Sequence, residues 1–390
     1  MRGSHIITEK PLPPGWQWKN IGELCHVATG GTPDTSNMDY YKGNIPWMKS
    51  GDVKGTYLND ATHYISEKGL SNSNAVLHPI NTVLLAMSGQ GKTRGTSSIL
   101  KISAACSQSV AAILPSDVIL PELIHYWLMY KYSDTRNITG DNERTGLNLK
   151  LVRRIIIPLP PLPEQKRIAK ILNEKMTAIE KAHAAAEAQL EAAIKLQYAY
   201  VQETLKSPLK SYSLNECTEE VSTGIGSKWS EYPVLGATRS GLAPAKDPVG
   251  SRPERYKLVD VGTIFYNPMR ILIGSIALVD DGDNAGITSP DYVVIKAKEG
   301  ILHYRWFYHW LRSSLGERFI KSLARGAVRE RILFNRLIQG SIDLPSYESQ
   351  LIAAEKIAKI KPLITGIEEQ LKYINALPSI ILRKSFSGGF

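Results

Sequence analysis

The sequence predicts an α+β protein built twice over: two similar globular domains separated by two long helices that form an antiparallel coiled coil, an internal repeat of pseudo-two-fold kind. Three observations lead there. "IPLPPLPEQKRIAKIL" from Ile157 is echoed by "IDLPSYESQLIAAEKI" from Ile342, roughly 185 positions on. Each copy follows a stretch of short β-branched and aromatic runs broken by Gly and Pro, the signature of strands and turns. Each copy then opens a long segment of helical periodicity. The boundaries read as a first globular domain over 1–156, a long helix over 157–207, a second globular domain over 208–341 and a second long helix over 342–390.

Within the globular stretches, "NIGELCHVATGG" near Asn20 resembles "SLNECTEEVSTG" near Ser213, and "NTVLLAM" aligns with "GTIFYNP" near Gly262. Asn81–Leu85 reads as a buried strand that runs into "AMSGQGKT", a loose match to the phosphate loop of nucleotide-binding proteins. That loop holds a triphosphate only when a helix N-terminus follows it. Here "RGTSSILKIS" follows, and its Gly95, β-branched residues and serines predict a strand. The second domain carries "RILIGSIAL" at the corresponding place. The Gly-Lys-Thr therefore belongs to one domain's variable loop, where Lys92, Thr93 and Arg94 are candidates to lie against some phosphate other than ATP.

From Glu164 to about Lys206 there is almost no Gly or Pro, and Leu172, Met176, Ile179, His183, Ala186, Leu190 and Ala193 keep a 3-4 spacing that continues to Gln197, Tyr200 and Thr204. The C-terminal segment carries a more apolar seam of Ile357, Ile360, Ile364, Ile367, Leu371, Ile374 and Ile381. Pro362 and Pro378 each delete a helix hydrogen bond and predict a kink or restart. A helix of about 40 residues is roughly 60 Å long, and its apolar stripe must be buried. The other copy is the economical partner, and "KAHAAAEAQLEAAIK" is small enough to let two axes approach. His183 on the seam fits a buried polar specificity position better than a ligand.

The formal net charge is +10 and 43% of residues are hydrophobic, a globular composition whose excess of cations favours an acidic partner. Cys25, Cys106 and Cys217 are odd in number and far apart, which suits reduced thiols in a cytoplasm. No apolar run approaches the roughly 20 residues that span a bilayer, and "MRGSH" resembles an expression leader. Catalytic constellations are near misses. Pro33-Asp34 with Asp52-Val53-Lys54 imitates a nuclease metal site, yet both pieces sit among glycines that predict turns. No Asn/Asp-Pro-Pro-aromatic tetrapeptide, Gly-x-Gly-x-x-Gly or His-rich metal spacing occurs. What the chain does offer is basic loops: Lys92, Arg94, Arg136 and Arg144 in the first domain, Arg239, Lys246, Arg252, Arg255, Arg325 and Arg329 in the second. Such side chains grip phosphate or read guanine. Trp127, Trp306 and Trp310 lie in helical patterns and fit core packing better than base stacking.

"GGTPDTSNMDYYKGNIPWMKSGDV", "IPLPPLPEQKRIAKIL" and the closing "ILRKSFSGGF" together resemble the specificity subunit of type I restriction–modification systems over nearly the whole chain. The resemblance implies two target-recognition domains, each reading one half of a split site on double-stranded DNA, with the long helices fixing the gap between halves. It also implies a non-catalytic role. Two methyltransferase subunits and restriction subunits are the implied partners, and S-adenosylmethionine, ATP and Mg²⁺ are expected on them, with no cofactor on this chain. The second copy departs from the family element by reading "LPSYESQ", and its helix reaches the final Lys-Ser about seven residues sooner, two coiled-coil turns. The alternatives from other classes are a P-loop or nuclease-like enzyme and a coiled-coil interaction scaffold.

Overall fold

A computed structural model describes residues 11–89, 91–137, 146–324 and 331–389. The chain divides into two compact units, one of residues 1–184 with 372–390, the other of residues 185–371. Each long helix is therefore shared between the units.

In the first unit β1 (Gln17–Asn20) leads into the single turn α1 (Ile21–Leu24) and then β2 (Val27–Thr29). A small layer follows, made of β3 (Ile45–Met48), β4 (Tyr57–Leu58), β5 (Tyr64–Ile65) and α2 (Glu67–Ser71). The central strands are β6 (Val83–Ala86), β7 (Ser97–Leu100), β8 (Ala105–Cys106) and β9 (Val110–Ile113). They form a sheet of order β2-β9-β6-β7-β4 beside a smaller sheet β5-β3-β8. Every residue of β6, β7 and β9 is buried, because the sheet is covered on both faces. Strand alternation sorts them: Val83, Leu85, Ile99 and Ile113 share a core with the helix α3 (Pro121–Tyr130), while Leu84, Leu100 and Ala112 pack with Met48 and Cys106. Short helices α4 (Tyr132–Arg136) and α5 (Leu149–Arg153) precede β10 (Ile156–Leu159), which pairs antiparallel with β1. The first long helix, α6 (Leu162–Thr204), then begins with Pro163 in its first turn, where a missing N–H costs nothing.

The second unit repeats this plan. β11 (Lys210–Ser213), α7 (Leu214–Cys217) and β12 (Thr218–Glu220) correspond to β1, α1 and β2. A small layer of β13 (Leu235–Thr238), β14 (Gly241–Pro244) and β15 (Lys257–Val259) comes next. β16 (Thr263–Tyr266), β17 (Ile276–Leu278), β18 (Gly286–Thr288) and β19 (Val293–Ala297) follow, and the main sheet runs β12-β19-β16-β17. That is the order of β2, β9, β6 and β7. Ile264, Tyr266, Ile276 and Ile295 pack with Trp306, Phe307 and Trp310 of α8 (Tyr304–Leu311), whereas Phe265, Ala277 and Val294 face Val259 and Ala237. α9 (Ser314–Leu323), α10 (Phe334–Leu337) and β20 (Ser341–Leu344) lead to the second long helix, α11 (Tyr347–Phe386), and β20 pairs with β11 as β10 does with β1.

The pairing of the long helices is antiparallel in each unit taken by itself. Ile168, Leu172 and Met176 near the start of α6 share a core with Leu382 and Phe386 at the end of α11. Val201 near the end of α6 shares one with Ala353 and Ile357 near the start of α11. Leu172, Met176, Ala186, Ala193, Ile357, Ile360, Ile367 and Ile374 are buried, and Ile179, Leu190, Ile364 and Leu371 are half-buried, as is His183. Neither proline breaks α11, which continues through Pro362 and Pro378. Pro362 itself is exposed.

Candidate nucleic-acid interface

The hairpin β6–β7 carries the Gly-Lys-Thr sequence, and its context differs from a phosphate loop. β7 follows the turn, so no helix N-terminus faces the lysine. Gly91 and Gly95 adopt φ of 61° and 90°, a left-handed geometry that side chains resist, and this closes the turn. The Gly95 N–H then donates to the Ala86 carbonyl at 2.9 Å. α4 holds the loop from outside. The Tyr132 hydroxyl donates to the Lys92 carbonyl at 2.7 Å, and Arg136 Nη1 donates to the Arg94 carbonyl at 3.1 Å. Lys92 is exposed, while Thr93 and Arg94 are half-buried and Arg94 Nε is buried without a partner. Lys92, Thr93, Arg94 and Arg136 are thus one assembly, in which Arg136 positions the loop backbone. Arg144 lies outside the described residues.

Beside this hairpin is a cleft of about 390 Å³ lined by Thr32, Trp47, Lys49, Ser50, Ser88, Gln108 and Ser109 among others. Lys49 Nζ lies 5.1 Å from the Trp47 ring centre, and the Ser50 hydroxyl donates to the Ser109 carbonyl at 2.9 Å. Thr32 donates to the Gln108 side chain. Sequence reasoning missed Lys49 and Gln108. Their available signal was two short polar runs, "SQS" after Cys106 and "KSGD" after Met48, each placed where a buried strand ends.

The second unit has its cleft at the corresponding place, next to hairpin β16–β17. About 460 Å³ is lined by Arg239, Lys246, Asn267, Arg270, Ser275, Thr288, Ser289 and Tyr292 among others. Arg239 sits in the β13–β14 turn and Lys246 just after β14, both exposed. Thr288 is fully buried, and its hydroxyl is without a partner. Arg252 and Arg255 are exposed around the turn Pro253–Arg255 and do not line the cleft. Arg325 and Arg329 lie outside the described residues. Asn267 and Arg270 were missed as well, because the strand ends at Tyr266 and its neighbours read as an apolar run.

The carboxylates that imitate a nuclease site, and the thiols, have local structural partners or are buried. The Asp34 carboxylate accepts from the Ser36 backbone N–H at 2.9 Å and hydroxyl at 2.8 Å, bonds that lower its pKa. Asp52 accepts from the Lys49 N–H at 2.8 Å and from the Thr62 hydroxyl at 2.6 Å. Each carboxylate closes a local turn. Burial pushes the thiols of Cys25 and Cys217 up to about 11 and that of Cys106 to about 12, so none is a ready nucleophile. Among the described residues no group of three or more His, Cys, Asp or Glu side chains is placed to hold a metal. The three tryptophans of the helical patterns are buried on α3 and α8, and Trp127 and Trp306 donate from Nε1 to the Ile156 carbonyl at 2.8 Å and the Thr204 hydroxyl at 3.0 Å.

Known proteins place this architecture. Residues 13–192 match the family described as the type I restriction modification DNA specificity domain. The EcoR124I/EcoR124II specificity subunit of Escherichia coli is 27% identical over 165 residues, 40% of this chain and 40% of that protein. The MjaIX specificity subunit of Methanocaldococcus jannaschii is 27% identical over 167 residues, 42% of this chain and 38% of that one. The aligned part thus spans about two fifths of the curated relatives it matches. Whole-chain likeness comes from solved folds. A chain from a study of complex assembly and conformational transition of the type I R-M system aligns with a TM-score of 0.64 at 17% identity, covering 98% of this chain and 100% of that one. The type I restriction–modification S subunit of M. genitalium aligns at 0.53 and 14% identity, covering 98% of both. At such identities the likeness speaks for fold, and it extends over both units and both long helices. Residues 13–192 are thus similar to the type I restriction modification DNA specificity domain, and the fold of the whole chain is similar to that of chains from type I restriction–modification systems.

Proposed function

We propose that the chain is the sequence-specific DNA-binding specificity subunit of a type I restriction–modification complex. It reads a split site on double-stranded DNA and docks two methyltransferase subunits and, through them, restriction subunits. The observation that supports this reading is the repetition of a polar cleft, with Lys49 in one and Arg239, Lys246 and Arg270 in the other, beside the same hairpin of two domains with the same strand order. Equivalent heads suit a duplex and a pair of identical partners. The chain itself is non-catalytic, and S-adenosylmethionine, ATP and Mg²⁺ belong to the partner subunits. Its place is the cytoplasm of a cell that carries the system; no described helix is long and apolar enough to cross a membrane. Nothing favours the P-loop or nuclease-like alternative, since the hairpin offers no helix N-terminus and the carboxylates close turns.

The test mixes the purified chain with its cognate methylase subunit and random-sequence duplexes. Enrichment of a two-part consensus is expected. Absence of any retained duplex, or retention without sequence preference, would overturn the reading. Retention that ignored salt would point to the scaffold alternative, because only phosphate neutralisation releases many counterions.

A further inference from the structure

Two exposed apolar side chains stand among cations at the tip of the β16–β17 hairpin. Met269 is 50% exposed and Ile273 is 52% exposed. Arg270 between them is exposed, and Arg331 Nη2 lies 3.8 Å from the Met269 sulfur. Ile273, Arg239 and Arg270 line one cleft. The tip is well supported. Ile271 is buried at the start of the 3-10 turn Ile271–Ile273, and Gly274 ends that turn with φ of 81°. The Gly274 and Ile273 N–H groups donate back to the Ile271 and Arg270 carbonyls at 2.9 and 3.1 Å. Exposure of two large apolar groups on a rigid, cation-flanked tip calls for a partner that is anionic and also offers small apolar features.

We propose that Met269 and Ile273 contact the C5-methyl groups of thymines, which makes the 267–274 turn a specificity-determining element of the second half-site. The inference rests on the DNA-reading function proposed above. In the major groove the thymine methyl is the one apolar feature of a base-pair edge, and the groove admits a two-stranded ribbon such as this hairpin. Arg270, between the two apolar side chains, supplies a donor fork for a neighbouring guanine or phosphate. A membrane is the other anionic, apolar surface, but two side chains make too small a patch to insert stably. The corresponding β6–β7 tip has only Ser88, Gly89, Gly91, Lys92, Thr93 and Arg94 among its described residues between Met87 and Gly95, with no large apolar side chain. Methyl sensitivity therefore belongs to one half-site.

The experiment uses the full chain with its methylase subunit and the duplex selected from a random library. Each thymine is replaced in turn by deoxyuridine, which removes only the methyl. Expected is a loss of about four-fold per contacted methyl, confined to one half-site, with the other half indifferent. Met269→Ser and Ile273→Ser, exposed positions whose thermal stability is checked in parallel, should abolish the discrimination, their affinity for the selected duplex falling to the level of its deoxyuridine form. A duplex whose thymines all tolerate deoxyuridine, a discrimination that survives both variants, or a selected site with no A·T pair in the sensitive half overturns the proposal. Flotation with phosphatidylserine vesicles that Met269→Ser abolishes, without a thymine effect, overturns it in favour of lipid. Failure to bind any duplex sinks the proposed function itself, whereas binding without methyl sensitivity sinks only this inference.

Discussion

Gln165 and Gln350 show how much work one residue does at the root of each long helix. Gln165 Nε2 donates to the Pro160 and Val118 carbonyls, both at 2.9 Å, while its Oε1 accepts from the Leu120 N–H at 3.0 Å. Gln350 repeats the set on Pro345, Ile301 and His303, at 3.0, 3.0 and 2.9 Å. Both side chains are almost wholly buried. Each ties the first turn of its helix to the loop that precedes α3 or α8. Replacement by Leu strands a backbone N–H and two carbonyls, so Gln165→Leu and Gln350→Leu are each expected to cost about 2 kcal/mol in urea unfolding. With no shared partner the two losses should add. The glutamine and its proline partner were legible in the repeated motif; Val118 and Leu120, or Ile301 and His303, were not, because they lie far upstream and are joined to it only by the fold. Buried histidines give a second residue-scale prediction. Burial lowers the pKa of His125 to about 4 and that of His309 to about 3, the latter aided by Arg312 and Arg305. Below the unfolded value of about 6.5, the unfolded chain takes protons that the folded chain refuses. Stability should then fall as pH drops from 6.5 towards 4, by up to about 1.4 kcal/mol per pH unit for each histidine. Urea midpoints at pH 7.5 and 5.5 measure the loss, and it should shrink in His309→Gln.

At the scale of elements, the strands and the two long helices were legible because their hydrophobic period is set by burial on known faces. Loop function was less so. Polar residues such as Gln108 and Asn267 acquire meaning only when a turn places them in a cleft. The same limit applies to Pro362, whose effect depends on neighbours. A proline inside a helix costs about 3 kcal/mol relative to alanine, yet α11 continues through it. Tertiary packing on either side, through buried Ile360 and Ile367, holds the helix together. Pro362→Ala restores one backbone hydrogen bond at an exposed position and should raise stability by about 1–3 kcal/mol. A destabilised variant would mean that the ring itself makes a needed contact.

For the molecule as a whole, the charge total was plain in the sequence and its placement on the two units was not. Forty-seven Lys and Arg against 37 Asp and Glu say that a polyanion is attracted, without saying where it lies. The fold places Lys92 and Lys49 on one unit and Arg239, Lys246, Arg252, Arg255 and Arg270 on the other, each group beside the corresponding hairpin or small layer. Under the proposed function, six of these seven cations touching phosphates would make log K fall against log salt with a slope of roughly −5. Under the proposed DNA-reading function Arg252, outside the cleft, is a phosphate-gripping side chain, and an alanine there would remove no base reading. It should weaken every duplex alike and make the slope shallower by about 0.9. An alanine at Arg270 should do something else, relaxing the preference at one position of the site while much of the salt dependence remains. If the two variants behaved identically across sequences, the division between gripping and reading side chains would be wrong, and charge alone would account for binding.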